Sequence, residues 1–273
     1  MSASVRIAAQ AVFLLAATIC YGASTDVQLA GISPAIEAQR SKAAGDLIIS
    51  GGKSEYRAFQ RFALLTPGPI EQGDERTPTY AEPFGGPAMP ALPGNVSAKW
   101  ADLQGRLLVE DKTLAACRGG DSACPEAARR FLSIVELGRK RSGRVLLGWI
   151  NRAVNLGVRP MSDWAQYGVE DYWATPLETL RSGAGDCEDY AIVKYIALRE
   201  SGIAPDDLRL MIVRDIKDQT DHAVLAVRND EKWLILDNRT LVMVAAEDAR
   251  YYYPLFALDH RGVRTFITAV AQR

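Results

Sequence analysis

Histidine is scarce in this chain, with two in 273 residues, His222 and His260. Cysteine is nearly as rare, at Cys20, Cys117, Cys124 and Cys187. Two histidines cannot supply a three-histidine zinc site, and no cysteines are spaced C-x₂₋₄-C, which excludes a zinc finger. An excess of either charge is also missing. Lys plus Arg number 32 and Asp plus Glu 33, a net charge of −1. Neither a broad nucleic-acid-binding surface nor an acidic solvating chain is indicated. After the first twenty-odd residues no apolar run approaches the ~20 residues that span a bilayer. What remains is ordinary globular composition, 48% hydrophobic and 24% charged, enough for a sizeable core and one or two domains.

Met1 to Ala23 reads as a secretory signal. Arg6 gives the positive start, Ala8 to Cys20 is almost wholly apolar, and small residues follow at Gly22, Ala23 and Ser24. The alternatives are an uncleaved membrane anchor and a lipoprotein signal ending at Cys20, although Ile19 stands where the latter wants a small residue. Export implies an oxidising compartment. There Cys117 and Cys124, bracketing Arg-Gly-Gly-Asp-Ser-Ala, are candidates for a short-loop disulfide; the alternative is two thiols on neighbouring helices. With Cys20 leaving in the signal, Cys187 is expected to stand alone.

Residues 24–97 read as an irregular Pro/Gly-rich arm (Pro67-Gly-Pro, Pro83-Phe-Gly-Gly-Pro), with a short strand at Asp46–Ser50. A compact domain is expected over 98–273. Apolar spacings of three and four predict helices from Ser97 to Leu108, Pro125 to Arg139 and Gly143 to Leu156. A short helical turn opens at Pro176, and a further helix follows Cys187 to about Ser201. The period then changes to that of strands: Leu208–Arg214, Ala223–Arg228 and Lys232–Leu236, the last two joined by a turn at Asn229-Asp230. Shorter segments follow near Thr240–Val244 and Val263–Val270. Helices first and an antiparallel sheet afterwards is α+β order.

Cys187 follows Gly183-Ala-Gly and begins a predicted helix. A thiol there feels the helix N-terminus, which favours the nucleophilic thiolate. The bland reading is a small residue packing the helix start. His222 opens the second strand and Asp237 ends the third. With a turn about Asn229-Asp230, the two fall opposite each other. A cysteine at a helix start, a histidine on a strand and a carboxylate to orient it are the parts of a thiol hydrolase. Taken singly, His222 reads as a strand-end surface residue and Asp237 as a turn former; order and register together favour a triad. His260, in a loop beyond the sheet, reads as surface.

Residues Ser162-Asp-Trp-Ala-Gln-Tyr-Gly-Val-Glu-Asp-Tyr-Trp-Ala-Thr-Pro-Leu-Glu-Thr-Leu-Arg-Ser-Gly-Ala-Gly-Asp-Cys-Glu-Asp-Tyr-Ala-Ile-Val-Lys-Tyr resemble the bacterial transglutaminase-like cysteine proteinases, the family of the LapG-type periplasmic proteases. The resemblance covers roughly residues 97–245. It implies a papain-like, transglutaminase-type core with Cys187, His222 and Asp237 as the triad. It further implies cleavage of a large surface adhesin near its N-terminus, which controls biofilm attachment. An inner-membrane cyclic di-GMP receptor that sequesters the protease is implied as partner.

Asp186 and Glu188 flank the nucleophile, and two bare acids beside a thiolate would raise its pKa. In an extended segment both would point away from Cys187, towards a site of their own. The resemblance implies calcium there, with backbone carbonyls, water or Asp189 completing the ligands. The alternative is that the acids favour the first turn of the helix. One oxyanion donor is the Cys187 backbone N–H; Trp164, Gln166 and Trp173 are candidates for the second. Papain's glutamine has no counterpart, because Arg181 stands six residues before Cys187. Two other functions share this fold: transglutaminase-type acyl transfer, and a non-catalytic protein-binding module.

Overall fold

The computed structural model describes residues 82–120 and 122–267. The expected signal at 1–23, the strand at Asp46–Ser50 and most of the arm lie outside these residues. The elements in chain order are β1 (Ala88–Pro90), α1 (Asn95–Arg118), α2 (Glu126–Arg139), α3 (Gly143–Gly157), β2 (Arg159–Pro160), α4 (Asp163–Tyr167), α5 (Pro176–Ser182), β3 (Ala184–Gly185) and α6 (Cys187–Glu200). A 3₁₀ turn at Pro205–Asp207 leads to β4 (Leu208–Asp215), β5 (Thr220–Asn229), β6 (Lys232–Leu236), β7 (Val244–Ala245), β8 (Tyr252–Asp259) and β9 (Gly262–Phe266). The α+β order expected from the sequence is the order found. Among the described residues no helix is long and apolar enough to cross a membrane.

Seven strands form one antiparallel sheet in the order β1-β9-β8-β4-β5-β6-β7. Side chains alternate across it with period two. Leu208, Leu210, Ile212, Ala223, Leu225 and Val227 face the helical layer, while Met211, Val213, Val224 and Ala226 form the core of the other face. The sheet takes in residues upstream of 98: β1 pairs with β9, and Glu82 forms ion pairs with Arg209 and Arg264.

The outer helices are held by one apolar stripe each. Ala128, Phe131, Leu132 and Val135 line α2, and Leu146, Leu147, Ile150 and Val154 line α3. Helix α6 has no solvent face along most of its length; residues Cys187 to Leu198 are all buried. Its Ile192, Val193, Ile196 and Leu198 each contribute on the order of 1.5–3 kcal/mol by burial. Helix α5 is fixed by sequence chemistry. Thr175 and Glu178 form a reciprocal capping box, Pro176 opens the first turn, and Gly183 closes the helix at a φ of 64°. Cys117 and Cys124 form the expected disulfide between α1 and α2.

The hairpin joining β5 and β6 differs from expectation by one residue. Asp230 and Glu231 take positive φ values of 50° and 66°, so they are the two loop residues. Strand pairing follows: Asn229 faces Lys232 and Leu225 faces Leu236. His222 and Asp237 are therefore not directly opposite. Asp237 lies just past β6, two residues short of the position facing His222, and the even shift keeps both side chains on one face.

Between α5 and α6 the chain passes through β3, which pairs with β2 in parallel. The Gly185 backbone there lies against Asp189. A Cβ on Gly185 would lie 2.5 Å from Asp189 Oδ2 and 2.8 Å from its Cβ. Asp189 cannot yield, because its Oδ1 accepts the Ala174 N–H at 2.8 Å. Gly185→Ala is accordingly expected to lower stability by about 1–3 kcal/mol, read as a lower urea midpoint at unchanged slope.

Candidate active site

Cys187 is the first residue of α6, with Asp186 at the N-cap. Strand β6 stops opposite Leu225, leaving the Ala223 N–H beyond that ladder. This N–H donates to Cys187 Sγ at 3.1 Å. The sulfur thus sits against the residue that follows His222, at the end of the β5–β6 pair. The expectation of a lone thiol does not hold: Cys187 is disulfide-bonded in this structure. A disulfide sulfur is not a nucleophile; only the reduced residue can act as one.

His222 is fully buried, and its Nε2 lies 3.0 Å from Asp237 Oδ1. An ionised carboxylate only accepts, so Nε2 carries the hydrogen and Nδ1 the lone pair. Nδ1 is buried without a hydrogen-bond partner among the described residues. Asp237 is held in turn. Its Oδ1 accepts the Arg239 N–H at 2.9 Å, its Oδ2 accepts the Tyr252 hydroxyl at 2.5 Å, and its backbone carbonyl accepts Asn155 Nδ2 at 2.8 Å. Burial alone would raise the Asp237 pKa. The His222 hydrogen bond, the Arg239 N–H and the Tyr252 hydroxyl outweigh it and hold the carboxyl well below its usual range. The structure therefore brings Cys187, His222 and Asp237 together, in the order the sequence suggested.

Asp186 and Glu188 do converge, and Asp163 from the start of α4 joins them. One oxygen from each lies within 4.8 Å of the other two, and all three residues are buried. Asp163 was missed from sequence, although Ser162-Asp163 lies inside the motif quoted above. Glu188 does not turn away from the nucleophile as an extended chain would have it: its Oε2 is 3.4 Å from Cys187 Sγ. The reason is that Glu188 already belongs to the helix, where neighbouring side chains diverge by about 100° rather than 180°. Asp189 is not in the group; it serves the backbone of Ala174. Burial first, and then repulsion from neighbouring acids (Asp171 for Asp163; Asp163 and Asp171 for Asp186; Asp186 and Asp189 for Glu188), drives these pKa values up: Asp163 to about 6, Asp186 to about 7, and Glu188 well above its usual value.

The donor set fits a hard cation. All ligands are carboxylate oxygens, and Asp163 Oδ1 and Asp186 Oδ1 are buried without a hydrogen-bond partner. His260 lies on the surface beside Asp206, as expected. Trp164 is largely exposed, and Gln166 donates to Tyr167 Oη and Ser182 Oγ.

These features define a thiol hydrolase with a buried Cys-His-Asp constellation on an α+β fold. The chain belongs to the bacterial transglutaminase-like cysteine proteinases (BTLCP), whose family model matches residues 114–258, just over half of its length, and it is thus a cysteine peptidase. No curated protein matches it. Among solved structures it is similar to Legionella pneumophila LapG, with 24% identity over 57% of this chain and 86% of that one, at a TM-score of 0.48. A calcium-bound form of that protein gives 23% identity, 56% and 87% coverage, and a TM-score of 0.48. A putative cysteine protease from Cytophaga hutchinsonii gives 18% identity, 50% and 52% coverage, and a TM-score of 0.32.

One further buried group lies near the triad. Lys194, two turns along α6 from Cys187, is fully buried with its Nζ lacking a hydrogen-bond partner. Burial lowers its pKa to about 7 against the usual 10.5, and Asp237 opposes that shift. Between these values the unfolded chain holds a proton that the folded chain has lost, so this residue makes stability rise with pH across that window. Lys194→Met should therefore melt above the wild type at pH 6, with the gap narrowing steadily towards pH 10. Thermal melts across that range check it; a pH-independent gap would contradict the burial effect.

Proposed function

We propose that this protein is an exported, periplasmic endopeptidase that cleaves a large cell-surface adhesin near its N-terminus and so controls biofilm attachment. The observation that carries the peptidase chemistry is the division of His222. Asp237 occupies Nε2, leaving an unpartnered Nδ1 on the residue next to the one that binds Cys187 Sγ. The family match supports a protein substrate. The Cys117–Cys124 disulfide supports an oxidising compartment. A membrane-bound cyclic di-GMP receptor that holds the protease is part of the same reading, by analogy with the LapG-type enzymes.

The steps follow from these positions. The Cys187 thiol passes its proton to His222 Nδ1, and the thiolate attacks the scissile carbonyl carbon. The carbonyl π electrons move onto oxygen. On collapse of the tetrahedral intermediate the C–N bond breaks, and the leaving nitrogen takes the proton from Nδ1. A thioester to Cys187 remains. His222 Nδ1 then takes a proton from water as the water oxygen attacks the thioester; the C–S bond breaks and Sγ recovers the proton. Throughout, Asp237 holds the ring tautomer and stabilises the imidazolium.

Calcium is the cation we assign to Asp163, Asp186 and Glu188, in keeping with the calcium-bound state recorded for Legionella pneumophila LapG. When bound, it supplies positive charge that offsets the carboxylates beside Cys187.

Reduced enzyme incubated with the N-terminal region of a large repetitive adhesin should release one fragment, identified by N-terminal sequencing. Cys187→Ala should show no cleavage while melting within a few degrees of the wild type. Cleavage by that variant would remove Cys187 from the mechanism. Incorporation of a labelled amine without a new N-terminus would instead mark an acyl transferase.

Calcium at millimolar concentration should raise the melting temperature of the wild type at pH 7.5. Asp186→Asn combined with Glu188→Gln should abolish that increment and raise the melting temperature of the metal-free protein, because buried like charges are removed. An unchanged increment in the double variant would place calcium elsewhere.

A further inference from the structure

The proposed attack puts negative charge on the substrate's carbonyl oxygen, and that charge needs preorganised donors. The Cys187 N–H lies in the first turn of α6, where backbone donors point out of the helix end. A second donor must be near this turn, hold a free N–H, and be fixed in place before the charge appears.

Three side chains upstream of Cys187 were candidates. Trp164 is 69% exposed. The amide nitrogen of Gln166 is engaged by Tyr167 and Ser182. Trp173 differs from both: it is 3% exposed, and its indole Nε1 is buried with no hydrogen-bond partner among the described residues. Two other tryptophans of the fold set the contrast. Trp100 Nε1 donates to the Asp259 carbonyl at 3.1 Å, and Trp149 Nε1 donates to the Ile134 carbonyl at 3.3 Å. A buried donor left without an acceptor is disfavoured unless something else uses it.

The backbone around Trp173 is tied to the helix that bears the nucleophile. The next residue, Ala174, donates its N–H to Asp189 Oδ1 at 2.8 Å, and Asp189 lies two residues after Cys187. The Trp173 carbonyl accepts Arg106 Nη2 at 2.7 Å, and the Tyr172 N–H is bound by Asp163. Thr175 is locked by its capping box. Residues 172–175 are thus pinned at each step, and the Trp173 ring belongs to the same buried cluster as Cys187. An indole held this way loses nothing to reorganisation when an anion forms beside it.

We propose that Trp173 Nε1–H is the second oxyanion donor, acting with the Cys187 backbone N–H. This deepens the peptidase reading and rests on Cys187 being the nucleophile. It does not depend on which protein is cleaved.

The test compares two reactions of Cys187 in the reduced full chain. Acylation by p-nitrophenyl acetate passes through a tetrahedral oxyanion: the S–C bond forms, the ester C–O bond breaks and p-nitrophenolate leaves. Alkylation by iodoacetamide displaces iodide directly and forms no oxyanion. Trp173→Phe keeps a ring and removes the N–H. Acylation at Cys187 should fall about 100-fold or more, with alkylation within twofold of the wild type. Acylation that falls less than threefold overturns the proposal. Equal falls in both reactions also overturn it, because they mark a structural role only. If the Phe variant does not fold, benzothienylalanine at position 173 preserves the ring shape, replaces the N–H by sulfur, and is read by the same ratio. Loss of acylation in either variant, with no cleavage of any adhesin by the wild type, would uphold Trp173 and sink the adhesin reading alone.

Discussion

The hydrogen bond between His222 Nε2 and Asp237 Oδ1 is the contact on which the site depends. It decides which ring nitrogen is left to act as base, and therefore which side of the imidazole must meet the sulfur. It also explains the investment around Asp237. Four groups from separate parts of the chain converge there: His222 from β5, Tyr252 from β8, the Arg239 N–H from the turn, and Asn155 from α3. Each contact narrows the positions open to the carboxylate. The imidazole inherits that definition, and so does the proton path to Cys187.

The first turn of α6 sets a second constraint, in tension with the first. A helix start favours a thiolate, yet Asp186 and Glu188 occupy the same turn and Asp163 faces them. Carboxylates in a buried pocket beside a sulfur oppose its ionisation. Burial and repulsion from neighbouring acids raise the pKa values of Asp186 and Glu188, and either protons or a cation relieves the negative charge beside the sulfur. The ionic state of the acid cluster and the reactivity of Cys187 are thus two readings of one local field.

Much of this was visible in the chain before any fold was drawn. Two histidines left little choice of base, and the strand periods of β5 and β6 placed His222 and Asp237 on the same face. The detailed pairing was not visible. Asn229-Asp230 looks like a turn, but the loop is Asp230-Glu231, and Glu231 is not a residue that advertises a positive φ. Strand β8 was missed because Tyr252-Tyr253-Pro254 lacks clean alternation and carries a proline, so Tyr252 was missed with it. Helix α1 reaches Arg118 because charged residues between Leu108 and Leu114 hide a buried stripe of widely spaced leucines. Asp163 lies twenty-three residues from Asp186, and only the tertiary packing of α4 near the start of α6 joins them. The unpaired Trp173 N–H is a property of the packed state, for which a sequence has no symbol.

Helix α6 carries a consequence of its own. Its buried stretch from Cys187 to Leu198 includes Glu188, Asp189 and Lys194, so it has no polar face on which to rest in water. Such a helix has little to gain from forming alone, and its stability is lent to it by the sheet on one side and the outer helices on the other. The electrostatics that activate the thiol depend on that helix being formed. On a chain not yet folded, Cys187 is an ordinary peptide cysteine. Proteolytic competence is therefore a product of tertiary closure, which spares the unfolded chain and its neighbours from an enzyme that would otherwise be active too soon.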